Sequence, residues 1–426
     1  MKKVLIITYY WPPAGGPGVQ RVLKFAKYLP EFGWQPIILT VQNGEYPAYD
    51  ESLFSDIPDD CKVYKTPAVE PFALYKKFTG MGTDEAIPVA TLTEKKTNWK
   101  KKLAHWIRLN LFIPDAKIGW IPYAVRAGKN IIRNEKPDII FSSSPPPTVH
   151  LIARSLARWS RIKWVADFRD PWTKIYHYEK QKISNISSLL NTNMERSVLH
   201  KSNAVSVVSK AFFIDVATIP LHQIPNGFDE SDINQSPKTH NEIFTIRYMG
   251  SMKERQYVDN FFKILKELSG SKKFKNSIKL EVIGNVFPDV RDKIEEKAIE
   301  DLQITFLGYR DHIEALHLIS NADALLFIIG KGSRGKFITT GKLFEYIMTK
   351  KPIIAIGPID GEANKIIQAT HTGQMFGYSD YENLKGFILA LYTMWQEKAS
   401  FNCNNSIINN YTRRNLTEKL TKLFKV

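Results

Sequence analysis

Short, uninterrupted runs of aliphatic and β-branched residues recur along this chain, and most are followed by a stretch with helical periodicity. The first is Lys2 to Thr8. A loop rich in glycine and proline follows from Tyr9 to Gly18, then a helix from about Val19 to Leu29, then a second run at Pro36 to Val41. Runs that are apolar throughout, without polar alternation, are the mark of parallel strands covered on both faces. The opening therefore reads as a βαβ unit. Between Gln42 and Trp120 the pattern weakens; it returns at Pro137–Ser142, Lys163–Ala166 and Ala204–Ser209. Ser231 to Glu242, apolar only at Ile233, reads as a linker. The alternation then restarts at Phe244–Tyr248, with a helix at Asp259–Leu268 and further runs at Leu280–Gly284, Ile304–Leu307, Ala324–Ile329 and Ile353–Ile356. A chain of 426 residues is too long for one ordinary core. The expected architecture is α/β, with two doubly wound Rossmann-like domains at 1–232 and 233–405 facing a deep interdomain cleft. A C-terminal segment, 406–426, carries a helix from Leu416 to Phe424 expected to cross back to the first domain.

Bulk properties narrow the setting. Two cysteines, Cys61 and Cys403, make a disulfide framework unnecessary and suit a reducing cytosol. No apolar run reaches the roughly 20 residues that span a bilayer, and Met1-Lys2-Lys3 leads into a strand, not a signal peptide. The net charge of +16 calls for an anionic partner. Much of it lies between Lys95 and Lys136, where eleven Lys and Arg face two acids, Asp115 and Glu135. Trp99, Leu103, Trp106 and Ile107 fall at helical spacing there, with Lys101, Lys102, His105 and Arg108 around them. Three readings are open: a helix lying on an anionic membrane surface, a solvated helix packing Trp106 on its own core, and a nucleic-acid groove. No recognition motif accompanies the third, and no nucleic acid is expected.

The chemistry-bearing stretches sit at strand ends, where open α/β sheets bind ligands. Gly15 and Gly16 in the first loop let backbone approach a ligand, or simply make a tight turn. Ser143 and Ser144 follow one strand. Asp167-Phe168-Arg169-Asp170 ends the next, either as an acceptor and phosphate site or as an acid–base knot that fixes the loop. Gly330 to Lys336 joins three glycines and three cations, as a phosphate cradle or a surface lid. Most informative is Ile338 to Gly357. Thr339, Thr340 and Gly341 open a helix whose unpaired amides favour a phosphate. Glu345 lies one turn in, expected to stay ionised near the positive helix end and either to hold ribose hydroxyls or to face solvent.

The run Lys342-Leu-Phe-Glu345-Tyr346-Ile-Met-Thr-Lys-Lys-Pro352 resembles the donor-site signature of the family 4 glycosyltransferases, retaining enzymes of the GT-B fold. Ile224-Pro-Asn-Gly-Phe-Asp229 resembles the family's segment at the end of its first domain. The resemblance assigns Glu345 to the ribose of a nucleotide-sugar; the family's first glutamate would fall at Phe337. It implies that Gly250 and Ser251 begin the diphosphate loop, with Ser251 at the usual arginine position and Arg255 and Lys253 as nearest replacements, joined by Arg334 or Lys336. Tyr309 and Arg310 match the loop beside the base. Arg169 stands where a histidine is common.

Transfer of a sugar from a nucleoside-diphosphate-sugar to a hydroxyl acceptor is the implied reaction, with a lipid-linked or oligosaccharide intermediate of cell-surface polysaccharide as acceptor. Donor binding falls to Gly15, Gly16, Gly250, Ser251, Arg255, Tyr309, Arg310, Thr339, Thr340, Gly341 and Glu345; acceptor binding to Ser143, Ser144 and Asp167; catalysis to Asp170, Arg169 and Arg255. No metal and no cofactor is expected, since cations and helix amides can steady the leaving diphosphate. The expected location is cytoplasmic, peripheral at the inner face of the membrane. A nucleotide-sugar epimerase of the same architecture and a non-catalytic nucleotide-sugar-binding partner are the alternatives.

Overall fold

The computed structural model describes residues 1–46, 48–69, 99–173, 183–213, 219–232, 241–272, 274–296, 302–332 and 334–425. It divides into two compact units, Met1–Pro225 with Leu416–Val426, and Asn226–Asn415.

In the first unit, strands β1 (Lys2–Ile7), β2 (Trp34–Val41), β3 (Lys62–Thr66), β4 (Ile139–Ser144), β5 (Trp164–Phe168), β6 (Ala204–Val207) and β7 (Leu221–Gln223) form one sheet in the order β3-β2-β1-β4-β5-β6-β7. Every pairing is parallel. Helices α1 (Pro17–Tyr28), α2 (Trp99–Asn110), α3 (Ile121–Glu135), α4 (Thr148–Ser160) and α5 (Asn185–Lys201) accompany it. Successive residues of β1 serve opposite faces. Leu5 and Ile7 join one core with α3 and α4; Val4 and Ile6 join the other with α1. Sequence periodicity missed β3 and β7, which are short edge strands with exposed positions.

The second unit repeats the plan. Strands β8 (Phe244–Met249), β9 (Ile278–Ile283), β10 (Gln303–Gly308), β11 (Ala324–Ile328), β12 (Ile353–Ile356) and β13 (Gly373–Phe376) run parallel in the order β10-β9-β8-β11-β12-β13. Between and after them come α6 (Asp259–Ser269), α7 (Pro288–Glu295), α8 (His312–Ser320), α9 (Gly341–Thr349), α10 (Glu362–Thr370), α11 (Tyr381–Gln396) and α12 (Asn405–Asn409), and then α13 (Arg413–Leu423), which belongs to the first unit from Leu416 on.

The units divide at Pro225/Asn226, not after residue 232 where the polar stretch had suggested. Phe228 belongs to the second unit's core, its amide donates to Tyr411 O (3.1 Å), and its carbonyl accepts from Arg413 N (2.7 Å). The second unit likewise runs to Asn415, beyond the expected limit at 405. Leu416, Leu420, Leu423 and Phe424 pack into the first unit's core, where Phe424 meets Trp34 edge-on at 5.0 Å. Most of the expected linker, residues 233–240, lies outside the described residues.

Candidate functional site

Three neighbouring strands of the second unit end in glycines with positive φ: Gly250 at 113°, Gly284 at 115° and Gly308 at 72°. Gly250 N donates to Ile283 O (2.7 Å) and Gly284 N to Gly308 O (2.6 Å). A Cβ on Gly284 would stand 2.8 Å from Gly250 O, so here main chain lies directly on main chain. A Cβ on Gly250 would stand 2.8 Å from Lys342 Nζ, which brings the start of α9 against the end of β8.

Helix α9 forms because Leu343, Phe344 and Ile347 bury one face completely. Tyr346 fixes its position, its hydroxyl accepting from Met249 N at 2.7 Å. Thr340 takes the extended N-cap conformation, yet its side chain makes no cap bond, and the first turn carries no acid. Leu343 N is met by Thr340 O (3.1 Å). Among the described residues no acceptor meets the Gly341 and Lys342 amides, which leaves the positive helix end open for an anion.

Lys342 supplies a cation at the helix start, and sequence reading had quoted it only as part of a motif. Its ammonium lies over the Tyr248 ring, 4.1 Å from the centroid, and among the described residues it has no hydrogen-bond or ion-pair partner. The Tyr248 hydroxyl donates in turn to Ser251 O (3.0 Å). Burial pushes the Lys342 amine down to about 8, with Glu345 opposing the shift. Glu345, one turn on, has a side chain 26% exposed and stands 4.0 Å from His312 Nδ1. Burial raises its carboxyl above the ordinary range, opposed by His312, Lys342 and Arg413 and reinforced by Asp232. The helix end therefore does not dominate that carboxyl as expected.

The other expected donor residues of the second unit differ in their exposure and partners. Thr340 and Ser251 are exposed, and Thr339 is half-buried. Arg255 is exposed, and its carbonyl accepts from Lys331 N (3.2 Å), pinning the Gly330–Lys336 loop. Two of that loop's cations rest on aromatic faces, Lys331 over Tyr378 and Lys336 over Phe337. Ser333 lies outside the described residues. Phe337 is thus a half-buried ring under a lysine. Tyr309 is 77% exposed, and Arg310 pairs with Glu314 at 3.3 Å. Between that loop and Glu345, the contact the structure records is through His312.

The first unit corrects several expectations. Asp167 is wholly buried and takes four bonds: Arg21 Nε (2.9 Å) and Nη2 (2.8 Å), Ser143 Oγ (2.7 Å) and Ser206 Oγ (2.7 Å). Burial, which raises its pKa, is outweighed by the Arg21 charge and these bonds, so the carboxyl sits below the usual range. With its lone pairs taken, Asp167 is a structural anion and not an acceptor ligand. Ser143, fully buried and donating to it, leaves the acceptor set for the same reason. Ser144 is 3% exposed. Arg169 does not tie the two acids together. Its guanidinium donates to Ser144 O (2.8 Å), Pro145 O (2.7 Å) and Gly18 O, joining the first loop to the end of β4. A guanidinium so committed is a loop clamp and not a catalytic cation. Asp170, by contrast, is exposed.

Gly15 is also corrected. It is buried, its amide donates to Ala48 O (2.8 Å), and an added Cβ would stand 3.2 Å from Tyr49 C and Asp50 Cβ. Its lack of a side chain serves the chain's own backbone. Gly16, exposed at φ 83°, opens α1 without a side-chain cap.

On α2, Trp106 is 47% exposed and joins neither core, contrary to the reading that packs it inside. The side chains of Trp99, Lys101, Lys102 and His105, and the residues from Lys95 to Asn98, lie outside the described ones. No helix of the described residues is long and apolar enough to cross a membrane.

Two doubly wound parallel sheets in one chain, each with ligand-side strand ends, define the GT-B fold. Residues 87–232 match the model of the family described as Glycosyltransferase Family 4. No curated protein matches by sequence. Among solved structures, HepE of Anabaena in complex with UDP is similar at a TM-score of 0.62 and 12% identity, over 100% of both chains. Sucrose-phosphate synthase from Thermosynechococcus elongatus is similar at 0.58 and 14% identity, over 100% of this chain and 95% of that one. A glycosyltransferase from Rickettsia africae is similar at 0.59 and 16% identity, over 100% of this chain and 98% of that one.

Proposed function

We propose that this protein is a retaining, metal-independent glycosyltransferase, of hexosyltransferase type, that takes its sugar from a nucleoside-diphosphate-sugar. The observation that carries the reading is the Lys342 ammonium, without an ion-pair partner among the described residues, beside the open amides of Gly341 and Lys342. A diphosphate there meets one cation and two N–H donors, and Glu345 one turn further holds the ribose hydroxyls. Ser251, Arg255, Thr339 and Thr340 flank the phosphates, and Tyr309 and Arg310 lie beside the base. HepE was solved with UDP and with UDP-glucose, which makes uridine donors the first to assay.

As the glycosidic bond to phosphate breaks, the leaving diphosphate gains charge while the sugar becomes oxocarbenium-like. Lys342 and the helix amides are fixed where that charge develops, which is the largest single contribution such a site can make. The departing phosphate takes the acceptor's proton, and Asp170 orients the acceptor hydroxyl. Incubation with uridine-diphosphate-sugars and a membrane extract tests the reaction. Diphosphate release that depends on the extract supports transfer; sugar interconversion without extract would mean an epimerase; donor binding without turnover would mean a carrier.

The acceptor is a lipid-linked or oligosaccharide intermediate of cell-surface polysaccharide, met at the inner face of the membrane. Leu103, Trp106 and Leu111 around α2 and Ile186, Leu189 and Leu190 on α5 are all at least 40% exposed. The two helices are joined where Asn110 bonds to Ser184 and Ser187. Six large apolar groups, three of them within the basic stretch Lys95–Lys136, suit an anionic bilayer. Co-sedimentation with phosphatidylglycerol vesicles is expected to fall by about a hundredfold or more in a Trp106→Glu, Leu189→Glu double variant, from the transfer cost of two apolar groups at about 1.5 kcal/mol each. Unchanged binding overturns the membrane assignment.

A further inference from the structure

With Asp167 and Ser143 removed from the acceptor set, Asp170 is left to orient the reacting hydroxyl, and a pocket elsewhere on the first unit's sheet stands open. A hollow of about 370 Å³ opens at the carboxyl ends of β2 and β3, where Thr40, Val41 and Lys65 lie. Pro12 and Pro13 form another part of its wall, and Asn43, Tyr46, Tyr49, Glu51 and Phe54 complete the lining. It is therefore on the ligand side of the sheet.

Its construction is specific. The first loop is stitched to the far wall: Gly15 N donates to Ala48 O, Asp50 N donates to Pro13 O (2.9 Å), and Ala14 bridges Tyr49. The Gly15 requirement follows from that seam. Tyr46 is held edge-on by Tyr9 (6.0 Å) and Tyr49 (5.7 Å), so one aromatic wall is rigid before any ligand arrives. Yet Tyr49 is 67% and Phe54 46% exposed. The side chains of Asn43, Glu51 and Lys65 are exposed, and among the described residues they have no hydrogen-bond or ion-pair partner.

The lining carries one anion and one cation, so it has no net charge with which to hold a diphosphate. It is too polar for a lipid tail. Flat aromatic faces beside unengaged donors and acceptors match a neutral ligand with C–H faces and a hydroxyl rim. We infer that this hollow is the subsite for a saccharide ring of the acceptor, with Tyr49 and Phe54 stacking on it and Asn43, Glu51 and Lys65 bonding its hydroxyls. The inference rests on the transferase reading for its role, but not for the binding itself.

Saturation-transfer NMR of the full chain with a panel of methyl glycosides tests it, alongside a separate UDP titration. Ring-proton saturation is expected for at least one glycoside, weakened about tenfold in Tyr49→Ala and Phe54→Ala as stacking is lost. Tyr49→Phe, which keeps the ring, should retain it, and Glu51→Gln should weaken it, while UDP affinity stays unchanged in all four. Saturation that survives Tyr49→Ala, or no glycoside binding at all, overturns the subsite even where UDP binds. Glycoside binding in a protein that ignores UDP would sustain the subsite and sink the donor reading.

Discussion

Arg21→Met should cost about 3–5 kcal/mol of stability, the scale for stranding one member of a buried ion pair. Arg21 is 1% and Asp167 0% exposed, and the pair is bidentate. The same guanidinium also donates to Pro225 O and Ile224 O, each at 2.9 Å, so one side chain holds α1, β5 and the end of the first unit together. Removing it leaves a buried carboxylate with only the Ser143 and Ser206 hydroxyls. The pH dependence has a definite sign. The Asp167 carboxyl is held below its unfolded value, so its contribution is complete above about pH 4 and lost as pH falls through the folded value. Urea unfolding at pH 7 and pH 3 reads both effects. The variant should unfold at much lower denaturant at pH 7, with a smaller gap from the wild type in acid. A loss below about 1 kcal/mol at pH 7 would contradict the account.

Lys342→Met should weaken binding of a nucleoside diphosphate by about 10- to 150-fold, the value of a charge-assisted bond to an ionised group. Met preserves the packing over Tyr248, so melting temperature without ligand should hold or rise. Glu345→Ala should weaken the same ligand through the ribose alone, which a deoxyribose analogue checks: the wild type should discriminate against it and the variant should not. Lys342 also gives binding a pH signature. Its amine lies near 8 in the free protein, and a bound diphosphate favours the charged form and raises it. Binding above pH 8 must therefore take up a proton, and affinity falls as pH rises. Lys342→Met should lose that slope.

Much of the architecture is legible because parallel strands buried on both faces are apolar throughout, and Ile353–Ile356 has identical bounds in sequence and structure. Edge strands β3, β7 and β13 escape because exposure interrupts that signal. At the site, Glu345 was readable from a helix start, and the glycine after β8 only through the family resemblance. Lys342 was not, since its meaning depends on Tyr248 and Gly250, far away in the chain. Asp167 and Arg169 illustrate the reverse case. An acid and an arginine at a strand end look reactive in sequence, while the partner that neutralises Asp167 is Arg21, 146 residues away. No local pattern announces such a pair, and without it a structural knot and a catalytic pair look alike.

Calorimetric titration of the unmodified protein with uridine and other nucleoside diphosphates at pH 7 and pH 9.5 tests the central claim. A diphosphate should bind more tightly than its parent nucleoside, and the advantage should shrink at the higher pH. A diphosphate that binds no better than the nucleoside, or equally at both values, would contradict an anion site built on Lys342 and the open end of α9.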